Sequence, residues 1–294
     1  MRFLGMMVCA CALLLFGVAE AQILSVKSGS WSSDTTWAGG LVPTLTDDVL
    51  ISSGHTIDVS DTLAYAHSVS FADTSCHIDM DSTSRLMLTG SFTLADTNHN
   101  VFAPGWSPEN AYLWFVGGET QTLAGWNPAR GSTALRNVVV AKDSGTVLTT
   151  AGTGMRLGLQ NSLDVISGGF VLGYGDDLEG RWTQSANYTN DQQLRITIHP
   201  QAVFRLDAGS DFHHIWSGSG GVRIGGFTVY GLLELVQASS LDLNVDSIYI
   251  GTGGIVELGT GLWSSASGAK FNPRIIVVDS GGALYCQTFS PIWL

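Results

Sequence analysis

Asp176, Asp177, Glu179 and Arg181 place three carboxylates and a guanidinium within six residues. Two carboxyl groups held a few ångströms apart can cleave a glycosidic bond, one donating a proton while the other acts as base or nucleophile. The same oxygens could hold calcium for eliminative cleavage of a uronic acid polymer. Tyr174, Trp182 and Tyr188 bracket the cluster, and aromatic faces suit the apolar side of a sugar ring. All seven residues fall in the longest polar stretch, 174–193, which reads as a loop leaving the body of the fold. An acidic, solvated loop tip is the plainer reading of the same residues, and we favour it over catalysis.

A second constellation is His77, Asp79 and Asp81, which alternate with Ile78 and Met80. Period-two spacing puts the three on one face of a strand. With Thr83 they offer oxygens to a hard cation such as calcium. The EF-hand loop pattern is absent, since neither its glycine nor its closing glutamate is in place, so a solvated strand face is the favoured reading. His213 and His214 are adjacent, so on a strand their rings point to opposite faces. Trp106 and Trp126 sit in Gly/Pro/Asn turns and read equally as turn plugs or as ligand platforms. No nucleophile elbow, phosphate-binding loop, dinucleotide fingerprint or zinc-ligand spacing occurs.

These residues are carried on short strands. Apolar runs such as Asp48–Ile51, Thr56–Val59, His77–Met80, Arg85–Leu88 and Leu194–Ile198 alternate or cluster over four to eight residues, and Gly, Ser, Asp and Thr separate them. That is the strand-and-turn signal. The 294 residues include 36 glycines and only 13% charged residues, a composition unlike a helical bundle. With 45% hydrophobic residues the chain can fill a core. Thirteen Lys and Arg against 25 Asp and Glu give a net charge of −12, which excludes the basic patches that nucleic acid or an anionic membrane requires.

Residues 1–21 read as a secretory signal peptide. Arg2 precedes an apolar run over residues 3–18, and Ala19-Glu20-Ala21 is a small-x-small cleavage signal, so the mature chain is expected to begin at Gln22. The run is shorter than the ~20 residues a spanning helix needs, and no later segment is long enough to span. The mature protein is therefore expected outside the cell, secreted or on a bacterial outer surface. Of the cysteines left after cleavage, Cys76 and Cys286 are far apart in sequence and are expected to be buried free thiols.

Internal repeats decide between a sandwich and a solenoid. Residues 161–170 align with 246–255 at an offset of 85, and 138–148 align with 275–284 after one deletion, each of the latter pair holding an apolar strand, Asp-Ser-Gly and another apolar strand. A solenoid coil cannot bury its inner face alone, and the next coil covers it. The expectation is an all-β, right-handed parallel β-helix of about eleven to thirteen coils, each of roughly 20–25 residues. Leu163, Val165, Ile248 and Ile250 should face inward in equivalent coils, with Asp164 and Tyr249 between them facing out.

Residues 31–57, WSSDTTWAGGLVPTLTDDVLISSGHTI, resemble the opening of secreted glycine-rich β-helix surface proteins of bacteria, of the Bacteroidetes type exported by type IX secretion. They are also similar to the start of the eight-glycine domain of large extracellular proteins. Trp31, Trp37, Gly40, Pro43, Asp47 or Asp48, Val49, Ile51, Gly54 and His55 carry the likeness. Residues 114–123, WFVGGETQTL, and 135–173 continue in the same idiom. Physically, Trp31 and Trp37 are bulky enough to close the first coil, and Pro43 helps turn the chain into its first strand. The domain expectation is a cap and lead-in over 22–47 and the β-helix over 48–294. Residues 275–286 begin a coil that no polar cap follows, and the favoured expectation is that the helix is incomplete there.

The resemblance implies a surface or matrix module, adhesive or structural, with no catalysis and no cofactor. The alternative on the same fold is a polysaccharide-binding or pectate-lyase-like polysaccharide-degrading protein, for which calcium is the fitting cofactor. Partners are then glycans or cell-surface components. Tyr174, Trp182, Tyr188, Trp106 and Trp126 would be the binding residues.

Overall fold

The computed structural model describes residues 22–60, 63–81, 83–96, 99, 101–102, 111–125, 134–151, 155–173, 176–181, 194–207, 211–215, 224–236, 242–243, 245–259, 270–271 and 273–286. The signal segment lies outside these residues. Apart from two short 3-10 turns, Asp34–Thr36 and Ala38–Gly40, every regular element described is a strand, and every strand-to-strand ladder is parallel. Two long sheets carry eleven strands each. The first runs from Gln22–Leu24 and Asp48–Ile51 through Gln121–Ala124 and Phe170's strand, Gly169–Leu172, to Ala283–Cys286. The second runs from Ala64–Ala66 through Arg156–Ser167 to Ile275–Val278. A third face holds Gly29–Ser30, Thr56–Val59 and His77–Met80 at one end. From Asp48–Ile51 onward, wherever a third-face strand is present, the chain passes from first sheet to third face to second sheet. This order and the parallel ladders are consistent with a parallel β-helix.

Alternation explains the strands. In Asp48–Ile51, Val49 and Ile51 are buried while Asp48 and Leu50 are half-buried, and the same pattern recurs in Thr56–Val59, Val203–Leu206 and Ile255–Leu258. Stacking then lines up the inward side chains. Val138, Leu163, Ile196, Phe227, Ile248 and Ile276 form one column of the second sheet, and Val140, Val165, Ile198, Val229, Ile250 and Val278 form the next. All but the last member of each column are buried. Leu163, Val165, Ile248 and Ile250 thus face inward as the repeat predicts, and Asp164 and Tyr249 stand on the outward column.

The offset of 85 spans three coils, because Leu163 reaches Ile248 through Ile196 and Phe227. Along the first sheet, coils advance by as few as 20 residues, from Val49 to Val69, and by as many as 34, from Phe170 to Phe204. The expected 20–25 is therefore too uniform. Each coil needs only its inner columns in register, so extra residues are absorbed between strands. Ten steps at ~4.8 Å make a stack roughly 48 Å long.

The repeated Asp-Ser-Gly is a corner between second and first sheets. Thr146 N–H donates to Asp143 O at 3.1 Å, and Gly282 N–H to Asp279 O at 2.9 Å. Gly145 and Gly281 hold the third turn position at φ 83° and 86°, a left-handed conformation that favours glycine.

Trp31 and Trp37 are buried at the first coil, with ring centroids 5.1 Å apart in an edge-to-face contact. Trp37 Nε1–H donates to Trp31 O at 2.7 Å, and Pro43 is buried beside this lead-in. Strands Gln22–Leu24 and Gly29–Ser30 lie within 22–47 and pair with Asp48–Ile51 and Thr56–Val59, so the lead-in contributes ladder as well as cap. Cys76 and Cys286 are free thiols. Cys76 is buried as expected, but Cys286 is only half-buried, because it stands on the last coil.

Candidate functional site

Residues 174–193 do not form a single excursion loop. Asp177–Arg181 is a strand that pairs on one side with Arg156–Leu159, half of the long Arg156–Ser167 strand, and on the other with Asp211–Ile215. Leu178 is the reason: it is fully buried in the core at the centre of the strand. Tyr174, Trp182, Tyr188, Trp106 and Trp126 lie outside the described residues, as do the side chains of Asp177, Glu179 and Arg181. His213 and His214 fall on the Asp211–Ile215 strand, whose side chains are likewise not described.

Asp176 is the clearest departure from expectation. Its side chain is fully buried rather than solvated at a loop tip. Thr150 Oγ1–H donates to Oδ2 at 2.7 Å and Met155 N–H to Oδ1 at 2.8 Å. Thr150 Oγ1 in turn accepts from Gly173 N–H at 2.8 Å. A buried carboxylate must be paired or hydrogen-bonded, and here its partners tie two neighbouring coils together. Asp73 does the same at an exposed corner, where Ser53 of the preceding coil donates to it, while Asp81 braces its own turn. Hydrogen bonds from the Ser53 and Ser75 hydroxyls and from Ser75 N–H hold the Asp73 carboxyl well below the usual carboxylate range. Ser84, Thr83 and the Thr83 N–H likewise lower Asp81.

Asp81 is thereby turned away from the His77/Asp79 pair that the strand pattern groups with it. His77 and Asp79 do share the outward face of their strand. Stacking adds a neighbour that the linear sequence hides, since Asp58 stands directly beside Asp79 on the adjacent strand. Burial first, and the Asp58 charge second, raise the Asp79 carboxyl. Among the described residues no group of three or more His, Cys, Asp or Glu side chains is arranged to hold a metal ion.

Two groupings are not evident in the sequence. His67 Nδ1 lies 2.8 Å from Asp48 Oδ1, and its Nε2 lies 3.8 Å from Glu119 Oε2. Ser68 Oγ is 3.3 Å from the same Nδ1, the nitrogen opposite to the one a hydroxyl nucleophile would use in a Ser-His-Asp arrangement. The set orients an imidazole between two carboxylates and leaves the serine unplaced for attack. The second grouping is aromatic. Tyr65, Met87 and Trp114 occupy one outward column on consecutive coils of the second sheet, and the Arg85 guanidinium lies 5.9 Å from the Trp114 ring centre. The 19-residue spacing of Asp48 and His67, close to one coil, is the only sequence signal for either grouping.

Inside the same corner, Lys142 is 1% exposed. Its Nζ donates to Gln121 Oε1 at 2.6 Å and to Val116 O at 3.2 Å. Gln121 is buried too, and donates to Leu88 O and Gly90 O at 3.0 and 2.8 Å. Burial lowers the Lys142 ammonium to about 8 from 10.5, against the smaller opposing pull of Asp143 and Glu119. Between these two values the unfolded chain binds a proton that the folded chain has released, so stability from this group rises with pH. Relative to Lys142→Met, the wild type should gain roughly 1–2 kcal/mol between pH 7.5 and 9.5 in urea melts. A parallel pH response of the two proteins would contradict a buried, depressed Lys142.

Among the described residues no helix is long and apolar enough to cross a membrane. In comparisons with known proteins, no family model, no curated protein and no solved structure matches this chain.

Proposed function

We propose that the protein is a secreted right-handed parallel β-helix, kin to the glycine-rich bacterial surface proteins that its opening resembles. It works as an adhesive or structural module of a cell surface or extracellular matrix, without catalysis. The observation that carries this reading is the use of Asp176: one of the three acids grouped as candidates for chemistry is spent bracing one coil against the next. A continuous eleven-stranded sheet and a second sheet with nine strands in its continuous path offer the long, stiff outer surface that such a module needs. On this reading residues 1–21 are removed on export, and mass spectrometry of exported protein finds Gln22 as the first residue. The function is tested by screening residues 22–294 on a glycan array and on intact cells, with and without calcium. Retention on either, with no shortening of acidic polysaccharides, is the expected outcome. Depolymerisation by the wild type, lost on replacing Asp48 or His67, would install an enzyme in its place.

A glycan-binding reading draws on the outward column Tyr65, Met87 and Trp114 with Arg85 beside it. Tyr65 and Trp114 are two coils apart, about 9.6 Å, near the repeat at which alternate rings of an extended β-linked sugar chain present the same face. Trp114→Ala should weaken any glycan binding by about tenfold or more, equivalent to at least ~1.4 kcal/mol, with an unchanged circular dichroism spectrum. Trp114→Phe should restore most of it.

A further inference from the structure

The outward column Tyr65, Met87 and Trp114 has a flank. Arg85 and Tyr112 stand two residues before Met87 and Trp114 on the same strands and are themselves in register. Of these five residues Arg85 alone is charged, and it is the exposed one, while the other four are half-buried. The chain carries 25 acids against 13 Lys and Arg, and Arg205 on the first sheet pairs with Asp207 at 2.6 Å and Glu234 at 3.7 Å. Arg85 has no carboxylate partner among the described residues, and its guanidinium instead lies 5.9 Å from the Trp114 ring centre. A contact of that kind, within about 6 Å, steadies the side chain through the ring face. It leaves free the planar N–H fork, which matches a carboxylate bidentately. The platform is also bounded. Tyr65 belongs to the first strand of its sheet. Beyond Trp114, the next residues of the two outward columns, Asn137 and Val139, are only 5 and 3% exposed. Three coils are therefore open on this face.

We propose that these three coils seat three successive rings of a β-linked glycan that carries uronic acids, and that Arg85 binds the carboxylate of the middle ring. This rests on the glycan-binding reading given above and names the ligand class for the same surface. One coil rises ~4.8 Å, about one sugar ring of an extended chain, so Tyr65, Met87 and Trp114 each underlie one ring. Successive rings of such a chain are turned over, and their C5 substituents point to alternate sides. Arg85 lies on the middle coil, about 6.6 Å to one side of Met87. It faces the C5 substituent of the middle ring when those of the outer two point the other way. Tyr112 flanks the third ring on the same side without charge. A neutral glycan would leave the only charged group of the platform without a partner, whereas a uronate on alternate rings supplies it with one.

The test compares one chain length in four chemistries, by calorimetric titration of the protein: a β-1,4-linked glucuronate hexamer, its methyl ester, the glucose hexamer and a 6-sulfated glucose hexamer. The glucuronate should bind roughly tenfold tighter than the ester or the glucose hexamer, the scale of one charge-assisted contact. Arg85→Gln should bring the acid-to-ester ratio to about one, and Arg85→Lys should keep part of it, with circular dichroism spectra like that of the wild type. Trp114→Ala should weaken acid and ester together and leave most of the ratio in place. Equal binding of acid and ester by the wild type, both weakened by Trp114→Ala, would overturn the uronate assignment and leave the glycan surface standing. A preference for the acid that survives Arg85→Gln would overturn it as well, and tighter binding of the sulfated hexamer would replace the carboxylate by a sulfate. No binding of any of the four would sink both the assignment and the glycan reading beneath it.

Discussion

Leu163→Asp should abolish the native fold, while Asp164→Ala next to it should leave stability within about 0.5 kcal/mol, as exposed substitutions usually do. Leu163 is fully buried between Val138 and Ile196 in the inward column of the second sheet. A carboxylate there has no donor within the column and must either ionise in an apolar site or bind a proton, at a cost of several kcal/mol, about 3 or more. The loss falls on three coils at once, because the column is continuous. Asp164 projects outward between Val139 and Thr197 and is half-buried, so its truncation leaves no cavity in the core. Chemical denaturation with a far-ultraviolet readout separates the two, and similar midpoints for both variants would contradict the register.

Trp37→Ala should cost about 3–5 kcal/mol, the usual range for emptying a buried large aromatic site. Trp37 is 1% exposed, packs edge-to-face on Trp31 and donates its indole N–H to Trp31 O. Phenylalanine variants separate packing from hydrogen bonding. Trp37→Phe keeps a ring but leaves the buried Trp31 carbonyl without that donor, a penalty of about 1–3 kcal/mol. Trp31 Nε1 is buried with no hydrogen-bond partner among the described residues, so Trp31→Phe removes an unsatisfied donor and should be the milder change by about 1–2 kcal/mol. Equilibrium melts of the two variants give the ordering directly. The reverse ordering would mean that the cap is held by shape alone. Because the cap covers an otherwise open end of the core, the Trp37→Ala protein should also lose amide protection first in the strands Gln22–Leu24 and Asp48–Ile51.

The strands, the inward columns and the closed first coil were legible in the sequence because each rests on a short-range rule. Period-two burial identifies Leu163 and Val165 as inward without knowledge of their neighbours, and the Asp-Ser-Gly corners announce themselves through a turn only glycine fits easily. Trp31 and Trp37, six residues apart just before the strand Asp48–Ile51, read as a cap for the same local reason. What stacks on what was decided by the tertiary structure. Coil lengths vary from 20 to 34 residues, so the phase between one coil and the next cannot be counted along the chain. That phase sets Asp58 beside Asp79, brings His67 between Asp48 and Glu119, and gives Lys142 its buried partner Gln121. It also turns Asp176 inward. The residues around Asp176 are as polar as a solvated loop, and the hydrogen bonds offered by Thr150 and Met155 from the coil before it offset the cost of burying that carboxylate.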